Sequence, residues 1–211
     1  MSAAKQITAQ PMIVGRPALV VIDIQKGCFA PRPASSRLEF MSDAVERYTR
    51  ARKMVDAARV ADIPVIFVQE AHRSNLIDFG RELDGSENIH CLEGDLVTEF
   101  AVEELGMLAD DYRITKRRYS VFFGTDMEIL LKGLRVQTLV MVGGFTDVCV
   151  HYSFVDAHQM DYYCRVVEDC VAGSSYRAHE AALSAMEYLQ AGARRNAQDV
   201  MAAFSVIGHG A

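Results

Sequence analysis

Six apolar runs alternate with stretches of helical periodicity along the chain. The first, Ala18-Leu19-Val20-Val21-Ile22, is continuously apolar and closes on the carboxylate of Asp23. That is how a strand covered on both faces of a parallel sheet reads, since neither side can be polar. Further strands are expected over residues 64–69, 112–115, 138–142 and 164–167, with a weaker one near 193–197. Helices are expected between them over 43–61, 96–105, 125–134, 149–160 and 175–190. Asp43 with Glu46, and Thr125 with Glu128, have capping-box spacing at two of the helix starts. Strands and helices alternating at this length predict a parallel sheet wrapped on both faces by right-handed crossovers. No Pro/Gly/Ser-rich linker divides the chain, so the expected architecture is a single Rossmann-like three-layer α/β/α sandwich over 1–211, its core at about 16–197. Its sheet has six parallel strands ordered 3-2-1-4-5-6. The long polar stretch 73–94, punctuated by Gly80, Gly85 and Gly94, is expected to be a functional loop, because structureless connections of this length are uncommon in compact domains.

Composition narrows the function. The 211 residues are 50% hydrophobic and carry a formal charge of −6, which supplies a sizeable core and no basic face for nucleic acid. The one local exception, Lys116-Arg117-Arg118, is too short to form a groove. No apolar stretch approaches the ~20 residues needed to span a bilayer. Residues 1–15 hold one lysine and no uninterrupted apolar core, so they do not read as a secretory leader, and the expected compartment is cytoplasmic. Five cysteines without a C-x-x-C pair fit neither a disulfide framework nor a thiolate zinc site, so reduced thiols are expected.

In sheets of this kind ligands bind at the carboxyl ends of the strands. Asp23 follows strand one, Lys116 strand three, and Cys149 strand four after the paired glycines Gly143 and Gly144. A thiol in the first turn of a helix is favoured as the anion by the backbone N–H groups and the helix dipole. Asp23 is suited to act as its base and Lys116 as the cation that holds both in charged form. Backbone N–H groups in the loop before Cys149 would stabilise a tetrahedral oxyanion, so the three suffice for attack on an amide or ureido carbonyl. Each residue also has a plainer reading: a packed cysteine, an aspartate that caps a turn, a lysine in a solvated basic triplet. A redox sensor or binding module using Cys149 as an oxidisable thiol is a further alternative.

Three segments carry a resemblance: Val21-Ile22-Asp23-Ile24-Gln25, then Lys116-Arg117-Arg118-Tyr119-Ser120-Val121-Phe122-Phe123-Gly124-Thr125-Asp126, then Gly143-Gly144-Phe145-Thr146-Asp147-Val148-Cys149-Val150. In that order they resemble the isochorismatase-like cysteine hydrolase superfamily, which includes nicotinamidases, N-carbamoylsarcosine amidohydrolases, ureidoacrylate amidohydrolases and biuret hydrolases. The resemblance runs from about residue 16 to about 197. It implies a catalytic triad of Asp23, Lys116 and Cys149, and a cis peptide at Gly144-Phe145 that turns the N–H of Phe145 towards the oxyanion beside that of Cys149. It implies hydrolysis of a small-molecule amide or ureido substrate without a cofactor, in a homo-oligomer, a dimer or tetramer. The superfamily's namesake cleaves a vinyl ether and lacks the cysteine, so that activity is not expected here. The nicotinamidase branch binds a metal, and Glu70, His72 and His90 match its ligands in part, which makes a divalent ion such as zinc or manganese the alternative. Gln25, Phe29, Tyr119 and Phe123 lie beside the triad segments as candidate substrate contacts, Phe145 as a candidate wall, and Cys28 close to Asp23. With this strand order Lys116 starts two strand spacings, about 10 Å, from strand one, and must reach across strand two or sit on a loop that turns back to meet Asp23.

Overall fold

The computed structural model of the protein describes residues 10–31 and 40–208; residues 1–9, part of the stretch read above as no secretory leader, lie outside them. Six parallel strands form one sheet: β1 (Arg16–Ile22), β2 (Val65–Glu70), β3 (Tyr112–Lys116), β4 (Val136–Gly144), β5 (Tyr163–Ala172) and β6 (Arg194–Arg195). Their order is β3-β2-β1-β4-β5-β6, the order expected for this sheet. Side chains of a strand point alternately to its two faces, and β1 divides accordingly. Leu19 and Val21 enter one core, with Met54 and Val55 of α1 (Ala44–Val60) and Phe204 of α6 (Ala197–Gly208). Ala18, Val20 and Ile22 enter the other, with Leu131 of α3 (Met127–Gly133), Phe154 of α4 (His151–Gln159) and Leu183 of α5 (Tyr176–Leu189). Fully burying each large aliphatic contributes about 1.5–3 kcal/mol, and both faces of β1 do so.

Several local expectations give way to tertiary contacts. Asp43 makes no side-chain cap on α1. Its carboxylate instead accepts from Arg47 Nε at 2.8 Å and from the Tyr176 hydroxyl at 2.8 Å. Glu128 pairs with Lys132 rather than closing a box with Thr125. The helix expected over 96–105 is broken into a 3-10 turn, Leu96–Thr98, and a short α2, Val102–Leu105. Between them the backbone is drawn to the exit of β1: Lys26 N–H donates to the Glu99 carbonyl at 2.9 Å, and Gln25 bridges to Phe100. The sheet's last strand is two residues long, and the chain continues into α6 beyond the expected core, packing Val200 and Phe204 beside α1. Among the described residues no helix is long and apolar enough to cross a membrane.

Where β1 and β4 end side by side, Ile22 is in register with Gly143. Gly143 has φ +119°, and a Cβ there would lie 1.9 Å from the Ile22 carbonyl oxygen. This close approach sets the exit of β1, which carries Asp23, against the loop that carries Cys149. Gly143→Ala is therefore expected to lower stability by about 3 kcal/mol or more, since both backbone conformation and space oppose the methyl group. Urea denaturation followed by circular dichroism should show the lowered midpoint.

Candidate active site

Asp23, Lys116 and Cys149 come from the ends of three strands and meet in one cluster. Asp23 directly follows β1 with φ 52°. Cys149 lies in a π-helical turn, Thr146–Val150, between β4 and α4, so the thiol precedes the α-helix instead of standing in its first turn. Lys116 ends β3, in register with Glu70 on β2. Cross-strand partners face the same side of a sheet, so the lysine crosses β2 alongside the Glu70 carboxylate and the span of two strand spacings is bridged. Lys116 Nζ lies 2.8 Å from Asp23 Oδ2 and 3.4 Å from Cys149 Sγ, and it also contacts Glu70 Oε2. Cys149 Sγ is in turn 3.5 Å from Glu70 Oε2. The Gly144-Phe145 peptide just before this turn is cis.

Burial dominates the electrostatics. Lys116 is completely buried, and Cys149 is 7% exposed. Desolvation pushes the Cys149 thiol well above its ordinary pKa; Lys116 opposes this, while the Asp23 and Glu70 charges add to it. The thiol is therefore protonated at rest, contrary to the thiolate expected from a helix terminus. Desolvation also raises Asp23 to about 6, Lys116 working against it and Glu70 with it. Burial disfavours the ammonium of Lys116, yet Asp23, Cys149 and Glu70 together hold its pKa well above the usual value. Glu70 is likewise desolvated, but Lys116, His72 and His90 keep it well below the carboxylate range. Lys116 and the Cys149 thiol both hydrogen-bond to Asp23, and the several acceptor positions of a carboxylate leave room to take the thiol's proton.

Glu70 belongs to a second cluster as well. One ligand atom from each of Glu70, His72, Glu82 and His90 lies within 4.8 Å of the others. His90 Nε2 is 3.1 Å from Glu70 Oε1, and its Nδ1 is 2.7 Å from the Asn88 carbonyl. His72 is fully buried, stacked on Phe79 at 3.9 Å between ring centroids. Its Nε2 is 3.1 Å from Glu82 Oε2, but no hydrogen bond is aligned on either imidazole nitrogen or either Glu82 oxygen. Burial opposes the imidazolium of His72, and the Glu70 and Glu82 carboxylates outweigh it, raising His72 to about 9. His72 and Glu82, buried donors without an aligned partner, together with the Glu70 carboxylate and the His90 imidazole beside them fit a divalent cation of the zinc or manganese class.

The loop 73–94 supplies Glu82 and His90 and is tied down at its base. His72 N–H donates to the Cys91 carbonyl at 2.7 Å, and Glu93 N–H to the His72 carbonyl at 2.8 Å. Arg117 and Arg118, expected on a solvated turn, instead reach the Ala71 and Asp78 carbonyls. Above the triad lies a cavity of about 380 Å³, lined by Cys28, Glu87, Tyr119, Phe145 and Cys149 among others. Gln25 also lines it, but its amide is committed to the Glu70 and Thr98 carbonyls, so it braces the end of β2 and does not orient Asp23. Phe29 and Phe123 do not line it. Phe29 is partly buried against the core that holds Leu19 and Val21, and Phe123, four residues beyond Tyr119 on a turn closed by Ser120, is 65% exposed. Sequence reasoning missed Glu70 beside the thiol, although its place at the carboxyl end of β2 is the same signal that marks Asp23. Glu82 and Glu87 carry no such signal, being acids in a polar loop.

The family model of the isochorismatase domain matches residues 17–198. The chain is 31% identical over 170 residues to the ureidoacrylate amidohydrolase RutB of Agrobacterium fabrum, covering 72% of this chain and 74% of that protein. Among solved structures it is similar to an isochorismatase-like hydrolase from Alkaliphilus metalliredigens, with a TM-score of 0.78 and 26% identity over 90% of this chain and 100% of that one. It is similar also to the N-carbamoylsarcosine amidase of Thermoplasma acidophilum, with a TM-score of 0.72 and 26% identity over 86% and 96% of the two chains.

The charges around Sγ yield a test of this geometry. Glu70→Gln removes an anion 3.5 Å from the thiol and should make Cys149 alkylation by iodoacetamide faster at a given pH. Lys116→Met removes the cation 3.4 Å away and should make it slower. Both are read from pH profiles of the reaction, with Cys149 followed by peptide mapping.

Proposed function

The chain belongs to the isochorismatase family, and we propose that it is a cysteine-dependent amidohydrolase cleaving a C–N bond of a small amide or ureido compound through a thioester. The convergence of Asp23, Lys116 and Cys149 beneath a cavity of small-molecule size carries this reading. Relatives named as ureidoacrylate amidohydrolase and N-carbamoylsarcosine amidase support the substrate class.

Because the thiol is neutral at rest, deprotonation accompanies attack. Asp23 takes the Sγ proton as sulfur bonds to the carbonyl carbon, and Lys116 stabilises the negative charge as it passes between carboxylate and sulfur. The carbonyl π electrons move to oxygen, and the backbone N–H groups of Phe145 and Cys149 receive that oxyanion. Collapse expels the nitrogen, which leaves as amine or ammonia with the proton held by Asp23. Asp23, again a carboxylate, then takes a proton from water as the water attacks the thioester. The second tetrahedral intermediate expels Cys149, which recovers its proton. Glu70 keeps Lys116 charged throughout.

A second reading is a metal-assisted nicotinamidase, favoured by the unaligned buried donors of the histidine cluster. Glu70, His72, Glu82 and His90 would hold the ion, which would supply a Lewis acid to bind and polarise substrate beside the thiol.

Ammonia release from nicotinamide, N-carbamoyl amino acids, biuret and maleamate should identify at least one substrate, with Cys149→Ala reducing turnover by about 10³-fold or more. Persistence of the rate in Cys149→Ala would exclude the nucleophile. The base must be unprotonated, so kcat/KM should fall as pH drops through about 6, the value to which burial raises Asp23. On the metal reading, protein prepared without chelator carries about one divalent ion per chain by elemental analysis, and His72→Ala loses it. Finding no stoichiometric ion would leave the cysteine chemistry metal-free.

A further inference from the structure

The turn that carries Cys149 is held from outside the cavity. Val148 N–H and Val150 N–H both donate to the Phe145 carbonyl at 3.1 Å, so Thr146, Asp147 and Cys149 sit within one small hydrogen-bonded loop. Two side chains of that loop bond to the segment that joins β5 to α5. Asp147 Oδ1 accepts from Ser174 N–H at 2.9 Å, and Oδ2 from the Ser174 hydroxyl at 2.6 Å. Thr146 is fully buried, and its Oγ1 lies 2.9 Å from Nδ1 of His179 on α5. Gly173 lets the two segments close, since a Cβ there would lie 2.5 Å from Asp147 Oδ1 and 3.1 Å from His179 Cβ. His179 is 3% exposed and stands in the first turn of α5, where the Ser175 side chain caps the helix by accepting from Ala178 N–H at 3.1 Å. Burial holds its imidazole below the ordinary pKa; Arg47 and Arg194 act in the same sense, and Glu180 and Asp43 oppose them. The ring is therefore neutral at neutral pH, and Nδ1 is able to accept from the Thr146 hydroxyl.

We infer that His179 is a positioning residue for the nucleophile: through Thr146 it fixes the turn that sets the Cys149 sulfur and the N–H groups of Phe145 and Cys149. For its effect on turnover the inference rests on the cysteine amidohydrolase reading. Neither His179 nor Thr146 lines the cavity, so both act through the turn and not on a substrate. The sulfur is 3.4 Å from Lys116 Nζ and 3.5 Å from Glu70 Oε2, and a displacement of the turn changes both contacts at once. Rates depend steeply on such placement, even when the altered residue is remote from the reacting atoms. An apolar side chain at position 179 would leave the buried Thr146 hydroxyl without this acceptor, and the turn would shift to satisfy it.

Two variants remove the bond, His179→Leu and Thr146→Val. Two others keep it: Thr146→Ser retains the hydroxyl, and His179→Asn puts an amide oxygen in place of Nδ1. Val200→Ala, in the core beside α1, controls for lost stability alone. Each is compared with wild type by alkylation of Cys149 with iodoacetamide at pH 8, followed by peptide mapping. There the sulfur displaces iodide from the reagent's carbon and the thiol proton passes to solvent. Loss of the bond should hydrate the thiol, relieve part of its desolvation and speed alkylation severalfold. On an amide substrate kcat should fall about tenfold or more with KM little changed. His179→Asn and Thr146→Ser should stay close to wild type in both measurements, and so should Val200→Ala. His179→Leu combined with Thr146→Val should behave like either alone, since both remove the same bond. Wild-type alkylation or undiminished kcat in both His179→Leu and Thr146→Val overturns the inference, as does equal acceleration in Val200→Ala or a double variant in which the two effects add. Thr146→Val is nearly isosteric and keeps the test decisive should His179→Leu fail to fold. If no amide shows Cys149-dependent turnover, the amidohydrolase reading falls, while alkylation still decides whether His179 positions the thiol.

Discussion

The buried ammonium of Lys116 is the constraint around which the site is arranged. Taking such a group out of water costs several kcal/mol unless opposite charges and hydrogen bonds compensate it. Here Asp23 and Glu70 do so, one from the strand exit beside it and one from the strand it crosses. Neither carboxylate could be removed without leaving the ammonium short of charge, and the thiol at 3.4 Å lies in the field of all three. The same field explains why Cys149 is a neutral thiol: one cation faces two anions in a desolvated place.

Glu70 joins two groups of side chains that the sequence separates. One oxygen serves Lys116 and Cys149; the other faces His90 and His72. A change in the charge of the histidine cluster, by titration or by a bound cation, therefore acts on the thiol through a single carboxylate. The loop 73–94 closes this arrangement from above. It is anchored by backbone bonds at its base and by Arg117 and Arg118, which follow Lys116 directly. Three consecutive basic residues thus do different work: the first enters the site, and the next two fasten the loop that covers it.

Much of the fold was legible because a doubly buried parallel strand has to be apolar at every position. Val20 and Val21 face opposite cores, and neither can be polar. The strand-end rule then located Asp23, Lys116 and Cys149. Nearness to the triad segments put Tyr119 and Phe145 on the cavity wall but not Phe29 or Phe123, since proximity in sequence says nothing about which way a side chain leaves a turn. Helix starts were read less well. Asp43 has the right neighbour for a capping box, but a charged partner four residues on and a tyrosine from another helix compete for its oxygens.

By itself the sequence determined the alternation of buried strands and helices, the parallel sheet that this implies, and three reactive groups at strand ends, because burial pattern and chain order are local properties. Tertiary structure decided the rest. The pairing of Glu70 with Lys116, the burial that keeps Cys149 protonated, and the meeting of His72 with Glu82 depend on side chains remote in the chain. Their energies come from desolvation and from distances of a few ångströms, and these exist only once the sheet has assembled.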